Sequence, residues 1–374
     1  CIERICKMGI HHGPRPTGNA AFVGTIRSNR LYSFTNFTFT SPNEDPFAPS
    51  KTDITNQSAY SSSNFAGDPT FFDVIDGIQY FRIPETGTYR ITCQGPAGKD
   101  PSSNGANGIG HGGKVRGDFS FEVNDLIGML VGHRPPTSGS TYAFHGGAGG
   151  TFVVTSSNTT SGSNISAVPL LVAGGGSSVR STNSRSNADA NMSPNGKNGS
   201  GRNGGTQGTE SPGGGHNATG GGGAAGWSGI GDAHGDTRGL YVPAGYPGNS
   251  FSTSYLPARG FISNGNPSIG GIFNTTYSTS HRGSGGFGGG GPGGWGGAGG
   301  AGGYSGGGND NNGGYAGGGG SFISSNATNV GTSTGSWSSG SGYYTGHNGL
   351  ATSSGLVNLG YNTNANGQVI IEKL

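Results

Sequence analysis

Between Gly87 and Gly95 the chain reads GTYRITCQG, with Tyr89, Ile91 and Cys93 on one parity and Arg90 and Thr92 on the other. A period of two buries one face of a strand and leaves the other wet. Other stretches read the same way: AFVGTIRSNRLYSFTNFTFT over 21–40 with a turn at Ser28-Asn29, FFDVIDGIQYFRI ending at Ile83, GGKVRGDFSFEV, the apolar run DLIGMLVG, GGTFVV, PLLVAGGG, and GQVIIEKL from Gly367 to Leu374. Aromatic and β-branched residues dominate them, as pleated surfaces favour. Residues 41–70 carry Pro42, Pro46, Pro49 and Pro69 and read as a polar loop. No stretch sustains a helical period.

A third period appears in GSGGFGGGGPGGWGGAGGAGGYSGGGNDNNGGYAGGGG, residues 283–320. Pro292, Trp295, Ala298, Ala301 and Tyr304 stand at every third position, separated by Gly-Gly. A polyproline II-type helix has three residues per turn and no internal hydrogen bonds. These five residues would then form one edge, and bare backbone the other two. Such rods can approach closely and exchange amide hydrogen bonds. At about 3.1 Å per residue, Pro292 to Tyr304 would span roughly 40 Å. Collagen is excluded, because it has one glycine in three rather than two. The competing reading is a flexible glycine linker. Further blocks at Gly174–Gly176, Gly213–Gly215, Gly220–Gly223, Gly288–Gly291 and Gly317–Gly320 extend the pattern. Trp227, Tyr241, Phe287, Trp295, Tyr304, Tyr315 and Phe322 punctuate it and are expected to cap or flank a bundle.

Composition sharpens this picture. Of 374 residues, 83 are glycine and 29% are hydrophobic, so backbone pairing must replace much of an apolar interior. Charged residues are 10% and the net charge is +2, with no basic stripe, which argues against nucleic acid. No apolar run approaches the length of a membrane span. The opening residue is Cys1, which suggests a mature or partial chain whose signal peptide has been removed. Cys1, Cys6 and Cys93 are an odd count, so one thiol stays free or bridges to another molecule. A bond between Cys93 and one N-terminal cysteine is expected, with a buried free thiol as the alternative. Residues 1–20 read as an arm held by a disulfide, by a neighbouring subunit or by its own domain. Sequons stand at Asn36, Asn56, Asn158, Asn164, Asn191, Asn198, Asn217, Asn274 and Asn326. Roughly seven or eight would arise by chance in such a composition, so they permit N-glycosylation without proving it.

Signals for chemistry are weak. Gly108–Gly113 fits G-x-G-x-x-G but no helix follows, and Asn195-Gly196-Lys197-Asn198 lacks the hydroxyl of a phosphate loop. Gly331–Gly335 fits G-x-S-x-G without an α/β sheet to carry it. Asp232, His234 and Asp236 would share one face of an extended chain, and Asn309–Gly314 offers oxygen ligands without a distal Glu. His11-His12 reads as ordinary surface. No catalytic residue, metal site or cofactor is predicted, and the chain is read as no enzyme.

The words FRIPETGTYRITCQGPAG, GGKVRGDFSFEVNDLIGMLVG, GGAGGTFVV, PLLVAGGG, the glycine blocks and a closing GQVIIEKL occur in that order over residues 70–374. In this the chain resembles the extracellular glycine-rich domain of the anaplastic lymphoma kinase and leukocyte tyrosine kinase receptors, and related secreted glycine-rich proteins. The resemblance implies an all-β jelly-roll sandwich, similar to tumour necrosis factor, with an inserted bundle of polyglycine II helices. In the receptors this module recognises small cytokines. The expected organisation is an arm at 1–20, sandwich strands at 21–175, a glycine-rich insertion at 176–345 and a return to the sandwich at 346–374. The expected function is a secreted structural protein that assembles with itself into an extracellular filament, coat or appendage. The alternative is a module that binds a glycan or a secreted protein ligand.

Overall fold

Alternation is realised as strands in every stretch that lies among the described residues. The computed structural model describes residues 31–99, 109–136, 146–156, 167–178, 185–201, 203–206, 221–228, 283–293, 297–310, 314–333 and 365–374, with short pieces at 231, 253–256, 261, 268, 272–275, 357–359 and 362. In chain order the elements are β1 (Asn36–Thr40), α1 (Lys51–Thr55), α2 (Ser58–Ser61), β2 (Phe72–Ile75), β3 (Ile78–Arg82), β4 (Gly87–Gln94), β5 (Lys114–Phe121), β6 (Leu126–Leu130), β7 (Thr151–Ser156), β8 (Ala167–Ala173), α3 (Arg185–Ala188), β9 (Thr253–Leu256), β10 (Ile272–Thr275), β11 (Phe322–Ile323), β12 (Thr328–Thr332), β13 (Val357–Asn358) and β14 (Gln368–Lys373). The protein is all-β with almost no α-helix.

Two six-stranded sheets run β1-β14-β4-β5-β12-β13 and β11-β8-β7-β6-β3-β2, and β9 pairs with β10 alone. All pairs are antiparallel except β12 with β13. The closing strand lies between β1 and β4, with Val369 opposite Cys93 and Phe39. Tyr89, Ile91, Cys93, Val369 and Ile371 of the first sheet meet Phe81, Ile127, Met129, Val153 and Leu171 of the second in one core. Cys93 is a free thiol there, and its Sγ donates to Thr151 O at 3.3 Å. The disulfide expected at Cys93 is therefore not formed. Burial pushes the thiol pKa up, against a smaller pull from the Ala173 backbone. Cys1 and Cys6 lie outside the described residues.

Two expectations need correction. Residues 41–70 are not merely a loop. A capping box at Ser50 and Asp53 starts α1, with Asp53 N donating to Ser50 Oγ (3.1 Å) and Ser50 N to Asp53 Oδ2 (2.8 Å). The segment delivers Ile54, Tyr60 and Phe65 into the core beside Phe39, Phe72 and Phe81. Helices of four and five residues are too short to show a period. The sandwich also resumes at β11 and β12, well before residue 346, because β11 pairs with β8 and β12 with β5.

Between the strands, glycine-rich segments pack side by side. Their amides return to the same neighbour every three residues. Gly317 N donates to Gly308 O and Gly320 N to Ser305 O, whereas the intervening Gly318 and Gly319 turn to Asn187 and Gly175. Gly147 and Gly150 likewise reach Gly291 and Gly288, and Gly110 and Gly113 reach Ser177 and Gly174. Segment 174–178 is enclosed by 95–98, 109–113, 146–150, 185–191, 297–303 and 314–320, bonding with each of them. At its three glycines a side chain has no room. A Cβ on Gly175 would lie under 3.0 Å from both Gly149 O and Ala148 O.

The single 40 Å rod is not observed. Gly291 N donates to Gly300 O at 2.8 Å, and Ala301 N and Gly307 N join the same stretch to 317 and 301. An unbroken rod would hold residues 291 and 300 roughly 28 Å apart. The run folds back on itself instead, since pairing with neighbours satisfies more amides than one isolated rod can. Ala298 and Ala301 are buried in the lattice, Tyr304 is half-buried, and Trp295 lies outside the described residues.

Candidate functional site: a buried serine–histidine–aspartate junction

The outer face of the second sheet is apolar and covered. Ile78, Tyr80, Leu130, Phe152, Val154 and Val172 pack with Phe261, Phe287, Trp227, Tyr304 and Phe322. Trp227 stacks on Phe261 (5.0 Å, 5°) and Tyr304 on Phe322 (4.5 Å, 19°). Trp227, Phe287 and Tyr304 thus fasten the lattice to the sheet, Tyr304 against Phe322 of β11.

At one end of this seam four segments converge. They are the loop after β1, the extended stretch after β6, the lattice segment around Phe287 and the stretch before β14. His133, 0% exposed, sits at their centre and packs on Phe287 at 5.1 Å. Its Nε2 is 2.6 Å from Ser41 Oγ. Its Nδ1 is 3.2 Å from Asp45 O and 3.3 Å from Asp45 Oδ1. Both atoms of Asp45 are acceptors, so in the neutral ring Nδ1 carries the hydrogen and Nε2 accepts from the Ser41 hydroxyl. Phe287 N donates to Asp45 O and His133 N to Phe287 O, tying the ring's support to the lattice.

The surrounding shell is polar and fully engaged. Asn366 accepts from Arg134 N (2.9 Å) and donates to Ser41 O (3.3 Å) and Asn43 O (2.9 Å). Arg134 Nη2 donates to Gly98 O at 2.9 Å, and Glu44 pairs with Lys99 and with Arg134. Burial lowers the Arg134 pKa, partly offset by Glu44. On the other side of Ser41, the carbonyl of Thr40 accepts from Gln79 Nε2 at 3.0 Å and lies 3.2 Å from Tyr60 Oη. Tyr60 Oη donates to Gln79 Oε1 (2.6 Å) and accepts from Thr40 N (2.9 Å).

Serine, imidazole and carboxylate are linked here in the order of a hydrolase relay, which is recognised by geometry rather than sequence position. The imidazole can take the Ser41 proton while Asp45 holds its tautomer. Ser41 is only 5% exposed and His133 is sealed, so no external substrate reaches them. Sequence reasoning missed this site. Ser41 and His133 are 92 positions apart, and neither lies in a motif.

The motifs that were visible do other work. Gly110 and Gly113 belong to the lattice, and β5 rather than a helix follows them. Ser333 Oγ, in the G-x-S-x-G match, accepts from Lys114 N at 2.9 Å beside β12. Asp310 Oδ1 accepts from Ser200 Oγ (2.5 Å) and Gly314 N (3.1 Å). Residues 232–236 and 11–12 lie outside the described residues. Among the described residues, no three His, Cys, Asp or Glu side chains group as metal ligands, and no helix is long and apolar enough to cross a membrane. Lys197 is 8% exposed, with Nζ donating to Ser186 O at 2.6 Å. Burial lowers its pKa to about 7, against the pull of Asp189. Asp189 also holds His111, accepting from its backbone N at 2.7 Å.

Of the sequons, Asn36, Asn56, Asn198 and Asn326 are exposed. Asn191 is half-buried, with Nδ2 donating to Asn195 O at 2.9 Å. Asn274 lies in β10, and Asn158, Asn164 and Asn217 lie outside the described residues. No protein-family model matches the chain, and no curated protein matches it.

Proposed function

We propose that the chain is a secreted structural protein, a subunit of an extracellular filament, coat or appendage that acts on no external substrate. The observation that carries this reading is the lattice. A large share of the chain is committed to close-packed backbone fastened across a whole sheet face, an arrangement that resists deformation but leaves little room for binding or turnover. The exposed sequons at Asn56, Asn198 and Asn326 agree with an extracellular location and with N-linked sugar. The family resemblance is retained as part of this proposal, and with it the jelly-roll winding of the sandwich. Gel filtration and electron microscopy of the full chain test it. Ordered assemblies are expected, and a population of monomers alone at high concentration would refute it.

A ligand- or glycan-binding module is the second reading, favoured by the half-buried Trp227, Tyr304 and Phe322 on the covered sheet face. Aromatic faces of this kind can stack on sugar rings. A glycan array probed with the monomer would separate the readings.

A further inference from the structure

We propose that the chain cuts itself once, at the Thr40–Ser41 peptide bond, by an N→O acyl shift followed by hydrolysis. The sealed relay has no access to an outside substrate, but it needs none. Ser41 Oγ is joined to the carbonyl carbon of Thr40 through Cβ, Cα and N, so attack on that carbon closes a five-membered ring within one residue pair.

The nucleophile, the base and the carbonyl donor of the step are each a named group. The nucleophile is Ser41 Oγ, 2.6 Å from His133 Nε2. That nitrogen is the acceptor end of the ring, because Nδ1–H faces Asp45. The carbonyl under attack is already polarised by Gln79 Nε2 at 3.0 Å. Donors aimed at developing negative charge are usually the largest single contribution to acyl transfer. Both flanks are held. Thr40 is registered against Gln368 in the β1–β14 ladder, and the Ser41 and Asn43 carbonyls are gripped by Asn366. Ser41 itself is 5% exposed, but the next residue, Pro42, and Glu44 are exposed, so the hydrolytic water has only a short way to travel to the ester.

The balance is as follows. Ser41 Oγ bonds to the Thr40 carbonyl carbon as its proton passes to His133 Nε2. The Thr40 C–Ser41 N bond then breaks, and the imidazolium returns the proton to the departing amine, leaving an ester and a free Ser41 amino group. One water hydrolyses the ester, with His133 again relaying a proton, to give a Thr40 carboxylate and the Ser41 hydroxyl. Ser41, His133 and Gln79 touch reacting atoms. Asp45 acts through His133 and is a positioning residue. Phe37 and Phe39 keep β1 in the core, so the two pieces stay together after the cut.

The test uses the full chain at neutral pH, with and without hydroxylamine, read by denaturing gel and intact mass. Two fragments are expected, residues 1–40 and 41–374, the larger with the N-terminal sequence Ser-Pro-Asn-Glu. Hydroxylamine should speed the cut and leave a hydroxamate on Thr40, which marks the ester. Ser41→Ala should fold and stay intact, Ser41→Cys should still cut, and Gln79→Leu should slow cutting by roughly 10²-fold, as losing one such donor does. Asp45→Asn should slow it and move the His133 proton toward Nε2, seen in the ring-nitrogen NMR signals. An intact wild-type chain after prolonged hydroxylamine treatment overturns the proposal, as does a cut at any other bond or one that persists in Ser41→Ala. None of these outcomes bears on whether the chain assembles.

Discussion

The sandwich and the glycine lattice exclude water by opposite means. Between the sheets, Phe39 and Phe81 each contribute about 1.5–3 kcal/mol by leaving water, and their rings meet edge to face at 5.3 Å. In the lattice a residue offers only its peptide group. A hydrogen bond there nets about 0.5–1.5 kcal/mol, while ordering a backbone residue costs about 1–2 kcal/mol, and more for glycine. Taken alone, the rods sit near break-even. They hold because Trp227, Phe287 and Tyr304 fasten them to the second sheet. The lesson is one of dependence: the apolar core stands without the lattice, and the lattice needs the core.

Breaking the core should have the largest effect. Phe81→Ala is expected to cost about 3–5 kcal/mol and to unfold both regions together, seen as one loss of amide protection in β4 and in segment 174–178. Breaking the lattice comes next. A Cβ on Gly149 would fall under 3.0 Å from Phe287 O, so Gly149→Ala should cost on the order of 3 kcal/mol. Hydrogen exchange should then show the rods opening while β4 and β14 stay protected. Equal loss in both regions would contradict the dependence.

A smaller effect concerns charge within the lattice. Lys197 titrates at about 7 when folded against an ordinary 10.5. Between these values the unfolded chain binds more protons, so stability rises with pH across that window and levels off above it. Lys197→Met should remove this slope and stabilise the protein at neutral pH by on the order of 2–4 kcal/mol, measured by urea denaturation at several pH values. The smallest effect is a control. A Cβ on Gly67 meets nothing within 4 Å, so Gly67→Ala should change stability by less than about 1 kcal/mol, in the stabilising direction.

Much of this architecture was legible. Tyr89, Ile91 and Cys93 announce their strand, GQVIIEKL its return to the sheet, and Gly-Gly-X its three-residue period. Each is a repeat within a few residues, which is what pattern reading detects. The short helices after Ser50 were not legible, because one turn has no period. Nor was the folding-back of 291–300, since Gly-Gly-X looks the same in a straight rod and in two adjacent ones. The thiol of Cys93 was legible as a strand residue but not as unbonded. Its partner is the Thr151 carbonyl, supplied by the opposing sheet.

Local repeats in the chain thus dictate what kind of backbone each stretch prefers: pleated where apolar and polar residues alternate, rod-like where two residues in three have no side chain. Which rods touch, and the meeting of Ser41 with His133 and of Thr40 with Gln79, are settled only when the sheets stack. Those partners are tens of residues apart, and no spacing rule along the chain encodes a contact that depends on how distant segments fill the same volume.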